Sequence, residues 1–350
     1  MLSKDQDQKV AEGGSGIQAG GNVTVVNVGV TASEARSIAL DVAKATFNEL
    51  TGAAKDTAIA RVDEITTQII EKLEREFPNG LQKARDPDFQ YALFTVQKEF
   101  ARSGDKDLGD LLVDLLVDRS KYDQRDILQI VLNESIATAP KLTDNQLAAL
   151  AVIFLFKYTQ NYNVGNHQLL GEYLDKHVLP FAQKLSKSQA GYQHLEFAGC
   201  GTSLVGDPLE KSFGQNYQGL FVKGFDESEI TNREITVGLD ARFFIPCIND
   251  SSKIQVKGLN KNNAEKYLAE QGLSDEDKIK ILALFDISKM NNYEIKEMVI
   301  ANRPYMQKVF DIWNESAMQH FNLTSVGMAI GHANIKRFNC EFTDLSLWIN

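Results

Sequence analysis

Apolar residues return every three or four positions along most of the first half of this 350-residue chain, and that period confines it to an array of helices. Ile59, Val62, Ile65, Ile69, Leu73 and Phe77 form one stripe, which Pro78-Asn79-Gly80 stops. With the Ala-rich segment from Ser33 to about Leu50, this long helix reads as a stalk. Asp86-Pro87 opens the next helix, whose inward face is Phe89, Leu93, Val96 and Phe100. Leu108, Leu111, Leu112, Leu115 and Leu116 then follow the spacing of a core-facing helix. Further helices are expected at about 123–138, at 143–160 behind a Thr143 cap, and at 166–185.

Ahead of the helices, a glycine-rich run passes into Gly20-Gly21-Asn22-Val23-Thr24-Val25-Val26-Asn27-Val28. Its β-branched residues alternate with polar ones as a half-buried strand requires, and a single strand cannot bury a face alone. The segment therefore reads as an assembly element in which Val23, Val25, Val26 and Val28 pair with other copies of the chain, the alternative being a distant sheet. Beyond residue 190 the helical period lapses, and glycines from Gly191 to Gly224 mark a loop and turn region. Strands are expected at Ile235-Thr236-Val237, Arg242 to Pro246 and Ile254-Gln255-Val256, and helices at 260–271, 274–287 and 292–321. Leu323 to Ile330 reads as a short extended piece leading into a final helix, and the apolar tail Leu345 to Ile349 as a docked edge strand. The expected fold is mainly α with a smaller α/β C-terminal half and an N-terminal β strand for oligomerisation. Its expected divisions are a disordered tail and assembly segment at 1–30, a helical domain at 31–188 and a mixed α/β domain at 189–350.

A formal net charge of −10 argues against a nucleic-acid partner, since phosphate neutralisation needs clustered Lys and Arg. The most apolar run, Leu147 to Phe156, is about half the roughly 20 residues that span a bilayer, and it reads as a buried core helix rather than a membrane segment. Cys200, Cys247 and Cys340 match neither a zinc spacing nor a CxxC pair, and this usage without a signal peptide fits the cytoplasm. The chain contains no Walker A sequence, no GxGxxG after a strand, no HExxH and no GxSxG, so no cofactor is expected. His167 and His177 are spaced too far apart to serve as adjacent ligands, His320 and His332 are separated by the Leu323 to Val326 piece, and no metal site is expected.

One stretch carries the residue types of a thiolate nucleophile. Cys200 lies between Gly199 and Gly201, with His194 and Glu196 just upstream to lower its pKa and orient an imidazole. On one continuous strand the three would share a face. The competing reading makes Cys200 a small buried residue in a tight turn. Asp110, Asp114 and Asp118 recur every four residues beside the leucine stripe and read as its solvated face, or as an acidic docking surface.

Gly20-Gly21-Asn22-Val23, Ile38-Ala39-Leu40-Asp41-Val42, Ala101 to Leu108, Tyr192 to Gly201 and Leu323-Thr324-Ser325-Val326-Gly327 together resemble a family of bacterial cytosolic proteins associated with phage-defence loci. The resemblance covers nearly the whole chain and implies a role against phage, with no catalytic residue to carry over. The expected function is a self-assembling, non-enzymatic defence protein whose partners are its own copies and a phage or host factor. The alternatives are an effector enzyme, a hydrolase or nuclease built around Cys200 and His194 or on scattered carboxylates, and a membrane-perturbing effector that uses helices such as Leu147 to Phe156.

Overall fold

The computed structural model describes residues 29–46, 50–122, 125–338 and 342–349; the Val23 to Val28 segment and Cys340 lie outside them. In chain order the helices of the described residues are α1 Ala32–Thr46, α2 Gly52–Glu76, α3 Pro87–Ser103, α4 Lys106–Ser120, α5 Ile127–Thr138, α6 Asp144–Tyr158, α7 His167–His177, α8 Leu179–Ala182, α9 Gln189–Phe197, α10 Leu209–Asn216, α11 Ser228–Asn232, α12 Lys261–Glu270, α13 Asp275–Ile287, α14 Asn292–Asn302, α15 Met306–Asn314 and α16 Ser325–Lys336. The strands are β1 Gly201–Ser203, β2 Phe244–Pro246, β3 Ile254–Val256 and β4 Phe321–Leu323. β1 pairs antiparallel with β4, and β2 with β3. The fold is mainly α with a small β component, as its periodicity implies.

Local chemistry sets the helix starts. The Asp86 carboxylate accepts from the N–H groups of Asp88 and Phe89 ahead of α3, and Ser274 accepts from Asp277 ahead of α13. Thr143 and Gln146 form a reciprocal capping box on α6. That helix is apolar all round, and a helix with no polar face can only be central. Accordingly Leu150 to Phe154 are fully buried, with α16 laid along them. Gly331 permits the approach, since a Cβ there would sit 2.8 Å from the carbonyl oxygen of Leu150.

One apolar core runs through side chains from Val30 to Ile349, so the expected division at 188/189 falls inside it. A smaller core, with Phe225, Phe243, Phe244, Ile281 and Phe285, lies among β2, β3, α12 and α13. α2 packs on α1, α3 and α4 and is part of the body, not a stalk.

Several segments depart from the periodic reading, each for a local reason. The helix expected over 166–185 ends at His177, and Pro180 opens the short α8. Pro304 divides the one expected over 292–321 into α14 and α15. The glycine-marked region contains the short helices α9 and α10, with α11 just beyond it, all too short to form without tertiary packing. Ile235-Thr236-Val237 is a turn, because the N–H and hydroxyl of Thr236 are both claimed by the Asp277 carboxylate. The C-terminal tail docks as a 3-10 turn over Leu345–Leu347 rather than as an edge strand, with the Trp348 indole N–H donating to the Tyr158 carbonyl at 2.8 Å.

Candidate functional site

His194, Glu196 and Cys200 do not lie on one strand. α9 carries the first two, Gly199 reverses the chain at φ 73°, and Cys200 follows at the foot of β1. Cys200 is fully buried, and its Sγ reaches the Ala198 carbonyl at 3.9 Å. Thr324 clamps the turn from the start of α16: its N–H donates to Cys200 O at 3.1 Å and its hydroxyl to Gly199 O at 2.6 Å. Burial pushes the thiol pKa up to about 12, so at neutral pH this sulfur is not a thiolate. The nucleophile reading therefore loses both its geometry and its ionisation.

His194 takes part in a different arrangement, a cleft of about 380 Å³ between the starts of α6 and α9. Gln146, 5% exposed, forms its floor and makes the orientation of its own amide unambiguous. Its Oε1 accepts from the Thr143 N–H at 2.9 Å, and its Nε2 donates to the Gly191 carbonyl at 2.7 Å. Turning the amide over would set two donors and two acceptors against each other. Nε2 also stands 2.9 Å from His194 Nδ1, closer than Oε1 at 3.4 Å, so Nδ1 accepts and the ring proton resides on Nε2. Gln146 is the residue that sequence reasoning missed: its capping-box spacing is legible, but its second partner is 48 residues away.

Glu196 closes a strand edge. Its Oε1 accepts from the Ser203 N–H at 2.6 Å, on the side of β1 that faces away from β4. The other three strand edges among the described residues are sealed by the fold itself. On β4, the Lys157 ammonium donates to the carbonyls of Gln319 and Phe321, and the Leu323 N–H donates to the Tyr158 hydroxyl at 2.9 Å. Burial pulls the Lys157 pKa down to about 8. On β2, Pro246 has no N–H and that of Phe244 is bound to Asp240. On β3, Ile254 exchanges hydrogen bonds with Phe225. The corner next to Glu196 is apolar, with Phe197 88% exposed, Val205 96% and Leu204 well exposed.

The three aspartates of α4 do not form a solvated face. Asp114 and Asp118 are buried, 1% and 6% exposed, at the junction of α2, α4 and α16. Lys72 approaches Asp114 at 2.7 Å, while Lys336 and Lys121 approach Asp118 at 2.8 and 2.6 Å. Burial raises the pKa of Asp114 despite Lys72. Burial also works to raise Asp118, but Lys336 and Lys121 together hold it below the usual carboxylate range. Asp110 is exposed and lines a separate cleft of about 290 Å³.

Among the described residues no group of three or more His, Cys, Asp or Glu side chains is arranged to hold a metal ion, and no helix is long and apolar enough to cross a membrane. His167 pairs with Asn249 at 2.8 Å and His332 with the Thr343 carbonyl at 2.7 Å. The chain belongs to the family described as ":-like", whose model matches residues 29–349. No curated protein and no solved structure matches it.

Proposed function

We propose that this protein acts by assembly rather than catalysis: copies join by strand addition at the outer edge of β1, and the assembled surface binds a phage or host factor in the bacterial cytoplasm. The observation that carries this reading is the state of the strand edges among the described residues. Three are sealed by the fold, whereas that of β1 is held by the Glu196 carboxylate alone, beside the exposed Phe197 and Val205. An open edge is a template for another strand, and a removable side chain is the weakest form of cover. Val23, Val25, Val26 and Val28 of a second copy supply a β-branched segment of the right period. The defence role is what the family resemblance implies, and many copies of one weak contact would give it avidity. The enzyme alternative built on Cys200 is disfavoured by the burial of its thiol, and the membrane alternative by the burial of Leu150 to Phe154 inside the body.

Deleting residues 1–28 tests the reading. Light scattering on the size-exclusion peak is expected to show an oligomer for the full chain and a lower mass for the truncated one, with plaque protection lost at equal expression. Equal masses, or full protection by the truncated protein, would overturn it.

A further inference from the structure

We infer that the α6/α9 cleft is a binding site for a small monocarboxylate with an apolar body. The inference does not depend on the assembly reading. Four features of the cleft point to that chemistry.

First, the lining offers hydrogen-bond donors. His194 presents Nε2–H because Gln146 has fixed its tautomer, and no protein group is bonded to that nitrogen. The Ser186 and Ser188 hydroxyls each accept a backbone N–H, from Ser188 at 3.2 Å and Gly191 at 3.3 Å, which leaves their own protons to donate. Second, Thr143 and Ser188, the caps of α6 and α9, both line the cleft, so the positive ends of two helices meet there. The first-turn N–H groups of Asn145 and Ala190 have no partner within their own helices.

Third, no Lys, Arg, Asp or Glu lines the space. Without a fixed cation, two helix ends and neutral donors suit a single delocalised negative charge better than a phosphate dianion. Fourth, Ala149, Ala190 and Leu195 give the cleft an apolar wall, and about 380 Å³ accommodates a body the size of an aromatic ring. The position is equally telling, because α9 starts at this cleft and carries in its last turn Glu196, the residue that covers the β1 edge.

Benzoate is the probe. Isothermal titration of the full chain is expected to give a Kd of about 1 mM, the range open to a ligand of so few atoms. His194→Phe keeps the bulk of the ring and removes the donor; it should weaken binding at least tenfold without moving the melting temperature of the unliganded protein, and Ser188→Ala should weaken it several-fold. Benzyl alcohol should bind far more weakly than benzoate, and so should inorganic phosphate. Absence of benzoate binding, equal binding by His194→Phe, or tighter binding of phosphate or benzyl alcohol would each overturn the inference.

Discussion

The α4 junction and the α9 corner both concentrate charged and polar side chains, yet they are built in opposite ways. At the junction, Asp114 and Asp118 are buried, Asp114 against Lys72 and Asp118 against Lys121 and Lys336. At the corner, His194 and Glu196 are exposed, each uses one of its polar atoms on the protein, and large apolar side chains stand beside them in water. Buried charges paired in this way hold helices together. Function is sought here where polar groups and apolar side chains stand exposed together.

The largest expected effect breaks the junction. Asp118→Ala leaves Lys336 and Lys121 facing each other without the carboxylate they share, and removing one partner of a buried ion pair costs about 3–5 kcal/mol. Urea denaturation should show it; a loss under 1 kcal/mol would mean that these charges are solvated after all.

Cys200→Ser comes next, at about 1–2 kcal/mol, because a hydroxyl in the same buried turn must find an acceptor at shorter reach than the Sγ–Ala198 contact. Biological activity should survive to within a few-fold, and native Cys200 should resist alkylation at pH 8 until the protein unfolds. Rapid alkylation of the native thiol would restore the nucleophile reading.

A smaller effect separates the two aspartates by pH. The pKa of Asp118 lies below its unfolded value, so its contribution is present at neutral pH and is lost as pH falls through the carboxylate range. That of Asp114 lies above, so its contribution is present in acid and is lost as pH rises through its folded pKa. The two partly cancel between pH 7 and 3. Asp114→Asn removes the opposing part, and thermal unfolding across that range should show a steeper acid loss than the unmodified chain; a shallower one would reverse the assignment.

The smallest stability effect belongs to the corner. Glu196→Ala removes one exposed hydrogen bond and should change stability by less than about 0.5 kcal/mol. It uncovers the β1 edge at the same time, so the oligomer should form at lower protein concentration in sedimentation velocity. Weaker assembly would show that Glu196 supports the contact rather than masks it.

The sequence discloses what depends on near neighbours and conceals what depends on distant ones. Asp86, Thr143 and Ser274 are legible as caps because each partner lies within three residues. The central place of α6 is legible because its apolar run admits no solvent face. The burial of Asp118 is not, since its partner Lys336 is 218 residues away and a four-residue acidic repeat looks the same on a surface helix. α9 was concealed by Gly191, a poor helix former within its first turn, and with α9 went the fact that His194 and Cys200 belong to different elements. The Val23 to Val28 segment remains an expectation from its alternation alone.

The central claim is that the β1 edge is where copies meet, and Ser203→Pro tests it most directly. Proline removes the outward N–H that a second strand must use, while the inward bonds of β1, from Leu204 N–H to His320 O and from Thr324 N–H to Cys200 O, do not involve residue 203. The solution mass of the full-length Ser203→Pro protein should fall to the 39.0 kDa of one chain, with circular dichroism unchanged, while the unmodified protein runs as a multiple of it. A 39.0 kDa mass for the unmodified chain, or an undiminished oligomer in the variant, would contradict the account.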